Sequence, residues 1–129
     1  MPNYGPIDTN AALRASGAAV TTTTAETALP FDPQQESFAA LVNVTALVGT
    51  GTYQAVIEAT TAADTGFASA VEVGRIAAIS AVGQYEIPLS GPEIQQRIAN
   101  AGLLRVRMVI GGTSPSISYT AWLVPAFRT

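Results

Sequence analysis

The sequence predicts an all-β protein: an antiparallel β-sandwich or jelly roll with one short helix and an extended N-terminal arm. Three observations carry this prediction. Apolar and polar residues alternate over several short runs, the period of a half-buried strand. Turns bearing Gly or Pro separate those runs at the close spacing of a sandwich or barrel. One segment alone changes to helical spacing, between Ser90 and Gly102.

Taken in order, residues 1–17 read as an arm and 18–129 as the β-sandwich domain. The arm is punctuated by Pro2, Gly5, Pro6 and Gly17 and has no strong period. Its residues 11–15 offer one helical turn, too short to hold alone. The arm is either a frayed terminus or an extension that orders against a neighbouring subunit. Residues 20–24 are β-branched throughout and favour an extended backbone. Pro30 and Pro33 then break the ladder. Residues 37–48 form the next strand, with Phe38, Ala40, Val42, Val44, Ala46 and Val48 on one face. Residues 49–51 turn the chain into 52–60, where Tyr53, Ala55, Ile57 and Ala59 share a face, and the pair reads as a hairpin.

After a loop ending Asp64-Thr65-Gly66, residues 67–74 read as a strand with Phe67, Ser69, Val71 and Val73 on one side, and 75–82 are ambiguous. Tyr85, Ile87 and Leu89 alternate with Gln84 and Glu86, and Pro88 marks an edge strand. Ser90 and Glu93 have capping-box spacing, Pro92 suits a helix start, and 100–102 supplies the stop. The last pair is the clearest. Leu104, Val106, Met108 and Ile110 form one face, a Gly-Gly-Thr-Ser-Pro turn follows, and Ile117, Tyr119, Ala121 and Leu123 form the next.

Composition narrows the chemistry. A chain of 129 residues suits one domain. It has no Cys, His or Lys, which excludes disulfides, thiolate and imidazole catalysis, Schiff-base chemistry and metal sites built on Cys or His. No enzyme activity and no cofactor are expected. The six Arg are scattered, so neither a nucleic-acid stripe nor a membrane patch is expected. No apolar run approaches a membrane span, and the N-terminus lacks the basic and apolar regions of a signal peptide. Much of the apolar content is Ala, which implies a thin core that gains from docking or oligomerising.

Few constellations invite chemistry. Asp64 is the only acid of its loop and reads as a turn residue rather than a calcium ligand. Glu58, Glu72 and Glu86 each fall on the polar face of a strand and read as solvated carboxylates. Arg105 and Arg107 leave one face of a strand, either as a patch for a partner's anionic groups or paired with Glu58 or Glu86 across the sheet. Trp122 belongs either to the core or to an interface. With Tyr4, Leu13 and Arg14 on the arm, these three make the candidate partner-contact set.

Residues 103–118, Leu-Leu-Arg-Val-Arg-Met-Val-Ile-Gly-Gly-Thr-Ser-Pro-Ser-Ile-Ser, resemble the closing hairpin of small virion proteins of tailed bacteriophages. There, an arginine-bearing strand is followed by a Gly-Thr-Ser-Pro-like turn and a Ser/Thr-rich strand. The 42–60 pair, the Asp64-to-Phe67 loop and the Gly83-Gln84-Tyr85 step before a short helix follow the same order. The resemblance covers roughly residues 37–125. It implies a β-sandwich or jelly-roll decoration (cement) protein, made in the host cytoplasm and carried on the capsid surface. Such a protein binds the major capsid protein, bridges capsomers, and self-associates as a dimer or trimer, with no catalytic residues. A carbohydrate- or receptor-binding sandwich module, and a tail or neck component of the virion, are the alternatives.

Overall fold

The computed structural model describes residues 3–4, 12–31 and 33–127. The alternation over 38–48 and 52–60 becomes β6 (Phe38–Val48) and β7 (Thr52–Thr61), and that over 101–124 becomes β10 (Ala101–Gly111) and β11 (Ser116–Phe127). Around these four long strands lie β1 (Asn3–Tyr4), β2 (Ala12–Arg14), β3 (Ala19–Val20), β4 (Thr24–Ala25), β5 (Leu29–Pro30), β8 (Val71–Ile76), β9 (Gly83–Leu89) and one helix, α1 (Gly91–Arg97). Sheet 1 runs β1-β11-β6-β9, with β2 and β3 sharing the outer place of β1 beside β11. Sheet 2 runs β4-β10-β7-β8, with β5 sharing the outer place of β4. Every pairing is antiparallel. The chain therefore fills four places in each sheet, and places next in sequence lie in opposite sheets except at β7–β8. This is the double-Greek-key order of a jelly roll.

That order corrects both expected hairpins. The chain does not fold back beside itself at 49–51 or at 112–115; it crosses to the other sheet. Each of the four long strands has one apolar face. Crossing sets those faces against each other, whereas a hairpin would line them up side by side and leave the core to be closed by something else. The core they make includes Phe38, Ala40, Val42 and Val44 from β6, Ala55, Ile57 and Ala59 from β7, Val106 and Met108 from β10, and Ile117, Tyr119 and Ala121 from β11. Two glycines permit the crossings. Gly49 (φ 81°) and Gly112 (φ 103°) hold left-handed backbone, and a Cβ on Gly49 would overlap the Ser114 carbonyl.

Other expectations shift locally. On β6 the inward face predicted to include Ala46 and Val48 changes phase. A register irregularity lies opposite the Ser118–Tyr119 step, so that Val44 pairs with Tyr119 and Ala46 with Ser118. Beyond it Leu47 packs on the core and Val48 is left 63% exposed, as an extra strand residue dictates. The strand expected from Phe67 begins only at Val71. Phe67 itself sits in left-handed backbone (φ 57°) within a turn that Asp64 organises. In α1 the capping box does not form: Ser90 is the N-cap but its side chain makes no cap bond, and Pro92 fills the first turn. The helix ends at Arg97, before the expected stop; Asn100 (φ 62°) makes the reversal and β10 starts at Ala101.

The helical turn expected over 11–15 is instead the strand β2, because the edge of β11 offers unpaired backbone groups that a strand satisfies. The stretch 20–24 splits into β3 and β4, one on each sheet. Pro88 lies in the edge strand β9 as expected, whereas Pro30, expected to break the ladder, sits in the short edge strand β5 opposite Leu103.

Candidate functional site

The outward face of sheet 2 holds most of the charged side chains singled out in the sequence. Register places Arg105 opposite Glu58 and Arg107 opposite Val56 on β7, and β8 continues the rows with Glu72 and Arg75. Arg105 Nε donates to Glu58 Oε1 at 2.8 Å, and Arg107 Nη1 lies 4.0 Å from Glu58 Oε2. Of the two readings of this arginine pair, the geometry realises the cross-strand pairing with Glu58. The Arg105 guanidinium also stacks 4.2 Å from the centroid of the buried Phe67 ring. On the next strand Glu72 pairs with Arg75, which also reaches Gln54. The Arg75 hydrogen bond, with the more distant Arg97 charge, holds the Glu72 carboxyl below its usual range.

Phe67 is positioned by the Asp64 turn. Thr60, wholly buried, donates to Asp64 Oδ2 at 2.6 Å, and the Ser69 and Ala68 amides donate to the same carboxylate at 2.9 and 3.0 Å. These three bonds, the Thr60 hydroxyl foremost, hold the Asp64 carboxyl below its ordinary value, with the Arg105 charge adding to them. Asp64 thus spends its oxygens on its own loop. Glu86 lies apart, on β9 of the other sheet.

Trp122 lies on the outward face of sheet 1. It packs, half-buried, against Ala39, Leu41 and Val124, a small cluster separate from the main core. Leu13 lies in the core at 2% exposure. Arg14 bridges the two sheets at their shared edge. Its Nη1 pairs with Glu26 Oε2 at 2.8 Å, its Nε and Nη2 donate to the Tyr119 and Ala18 carbonyls, and its guanidinium sits 4.8 Å from the Tyr119 ring centroid. Glu26 in turn is fixed to β10 through its amide and the Val106 carbonyl. Burial, with the Glu26 carboxylate beside it, drives the Tyr119 hydroxyl far above its usual pKa. Leu13 and Arg14 are therefore committed inside the chain. Tyr4 contributes backbone pairing to Ala126, and its side chain lies outside the described residues. The six candidates do not converge: Arg105 and Arg107 share sheet 2, Trp122 faces away on sheet 1, and Leu13 and Arg14 are interior.

Sequence reasoning did not single out Val48 and Val82. They are the large hydrophobics left exposed among the described residues, at 63% and 59%. Their signal was legible as apolar residues beside Gly49 and Gly83 in stretches without charge. Between β8, β9 and α1 a cleft of about 50 Å³ is lined by Val73, Pro88, Ser90, Glu93 and Arg97. That is well under the roughly 300 Å³ at which small-molecule sites begin. Among the described residues no three acidic side chains gather as metal ligands, and no helix is long and apolar enough to cross a membrane. What the arrangement offers is surface: a charged, cross-braced face on sheet 2, and a face on sheet 1 with Trp122 and a single carboxylate, Glu86, on β9. Comparison with protein-family models finds no matching family, and comparison with curated proteins finds no matching relative.

Proposed function

We propose that this chain is a virion structural protein, a decoration or cement protein that binds the outside of a tailed-phage capsid and stabilises contacts between capsomers. The observation that carries the reading is the 103–118 segment. Its resemblance is to the closing hairpin of small tailed-phage virion proteins, an arginine-bearing strand, a Gly-Thr-Ser-Pro-like turn and a Ser/Thr-rich strand; in this chain those sequences fall on β10, 112–115 and β11, with the turn crossing between sheets. The jelly roll supports it, because a rigid closed sandwich presents broad faces without needing a cavity. The composition supports it as well, since a part that must stay inert in many copies is served by a chain without Cys, His or Lys. Weak single contacts suffice when symmetry repeats them over a shell.

The partner in this reading is the major capsid protein, and the place is the capsid surface. The test is to mix purified chain with expanded, undecorated heads. The chain is expected to co-sediment with them to saturation and to raise their melting temperature. Heads that pellet without it, at micromolar chain and low salt, sink the reading.

A further inference from the structure

Residues 12–31 run around one side of the sandwich as a strap. The first limb, β2 and β3, lies along the outer edge of β11, with Arg14 opposite Ala121 and Val20 opposite Ile117. The second limb, β4 and β5, returns along the outer edge of β10, with Thr24 opposite Met108 and Leu29 opposite Leu104. Among the described residues nothing else pairs with those edges over 117–122 and 103–108. The strap is lightly held. Its strands are two or three residues long, and of residues 12–31 only Leu13 and Val20 are buried. By contrast β6 buries Phe38 through Val42 in one run. Short ladders and few buried side chains mark a unit that opens before the rest of a molecule does.

One ion pair joins the two limbs. Arg14 on the first meets Glu26 on the second at 2.8 Å, with side chains only 9% and 15% exposed. The same guanidinium donates to the Ala18 and Tyr119 carbonyls, so it grips both limbs and β11 at once. Just past the strap the chain is pinned, because the Gly91 amide at the head of α1 donates to the Gln35 carbonyl at 2.9 Å. The closed strap also carries a cost. Beneath it the Tyr119 side chain is fully buried, and its hydroxyl, beside the Glu26 carboxylate, makes no hydrogen bond with any protein group. A buried hydroxyl without a partner opposes the state that buries it, and lifting the strap relieves it.

We propose that residues 12–31 are a latched cover, which lifts as one piece from β10 and β11 while both sheets stay folded, with the Arg14–Glu26 pair as the latch. The latch sets how often the outer edges of the two long strands stand bare. A bare edge exposes a row of unpaired backbone donors and acceptors, so the closed strap keeps two such rows out of reach. The limbs move together because removing either member of the pair leaves the other charge half-buried without its partner, on the opposite limb.

Native-state hydrogen exchange of the full chain, read amide by amide by NMR over a series of low urea concentrations, tests this. The hydrogen-bonded amides of 12–31, with the Ile110 amide that donates to Thr23 Oγ1, are expected to share one opening free energy and one urea slope. Both should be smaller than those of β6 and β7, with exchange about tenfold faster or more. Arg14→Gln is expected to speed the whole group by about tenfold. That includes the Phe31 amide, which donates to the Gly102 carbonyl at the far end of the second limb. Tyr119→Phe, which removes the unpartnered hydroxyl, is expected to slow the same group about fivefold. Strap amides that share the free energy and slope of β6 and β7 overturn the proposal, since the strap then leaves only on global unfolding. So do separate slopes for each short strand, an Arg14→Gln effect confined to β2, or faster exchange in Tyr119→Phe. An Arg14→Gln chain that does not fold also overturns it, because the pair would then hold the sandwich and not the strap. No capsid enters the experiment, so the capsid reading is unaffected by its outcome.

Discussion

At one end of the sandwich the chain passes between sheets in four short corners, closed by left-handed glycines and by the hydroxyls of Tyr53 and Thr23. At the other, it takes the long 62–70 loop and α1, and ionic groups do the organising: Asp64 gathers its own turn, and the Glu58 and Glu72 pairs with Arg105 and Arg75 brace the neighbouring sheet face. Both ends hold backbone polar groups with side-chain partners, Ser116 and Ile110 at the first and Ala68 and Ser69 at the second. They do so with different chemistry and so present different surfaces, one neutral and slightly apolar, the other charged and hydrated. A partner that binds the first will be insensitive to salt, and one that binds the second will not.

The comparison can be broken by mutation. The largest effect is expected at the neutral end, from Gly49→Ala. A Cβ there meets the Ser114 backbone, which cannot rotate away, and the φ of 81° is strained for any L side chain. A loss of about 3 kcal/mol in urea unfolding is expected; a change too small to resolve would mean that the two corners are not packed as described. Next is Tyr53→Phe, which deprives the Ser116 amide of its acceptor. It should cost about 1–2 kcal/mol, read from the same denaturation curves.

At the charged end Glu58→Ala leaves Arg105 and Arg107 without their shared carboxylate. The expected loss is about 1 kcal/mol, shrinking in high salt, whereas the Tyr53→Phe loss should not respond to salt. The smallest effect is a pH dependence. Asp64 has a folded pKa held below the unfolded value of 3.8. Its stabilisation is therefore fully present above that value and is lost as pH falls through the lower, folded one. The gap in melting temperature between the parent and Asp64→Ala should be constant near neutrality and narrow below about pH 4. A gap that widened in acid would show that Asp64 is not the charged acceptor its geometry indicates.

Much of the fold was legible in the residues. Period-two alternation located all four long strands and their inward faces, except beyond Val44 on β6, because a half-buried strand leaves that pattern with no help from the rest of the fold. Pro88 announced a sheet edge through the donor it lacks, while Pro30 read as a break because a two-residue edge strand leaves no alternation to see. The partner of each strand was not legible. A short Gly-rich turn joins two strands of one sheet or crosses between two sheets, and only the packing of the apolar faces decides which. The phase change in β6 was hidden for a related reason, since an irregularity depends on the opposing strand and leaves Ala46 and Val48 looking inward from their own sequence. Of the candidate contacts, the Arg105–Glu58 pairing was one of the readings that alternating faces left open, beside Glu86 and a partner's anionic groups. Arg14 was not placed, because its partner Glu26 joins it only when the chain crosses from sheet 1 to sheet 2. Val48 was read as inward because of the hidden irregularity in β6, and Val82 escaped notice because it lies in the ambiguous 75–82 stretch, where alternation reports nothing.

The most direct measurement for the whole account is a cryo-electron microscopy reconstruction of expanded heads saturated with the purified chain. The account predicts added density on the outer shell at symmetry-related sites, each site fitted by small jelly rolls lying across the junction between capsomers. Bare shells at saturating chain, or density confined to the tail or neck, would contradict it.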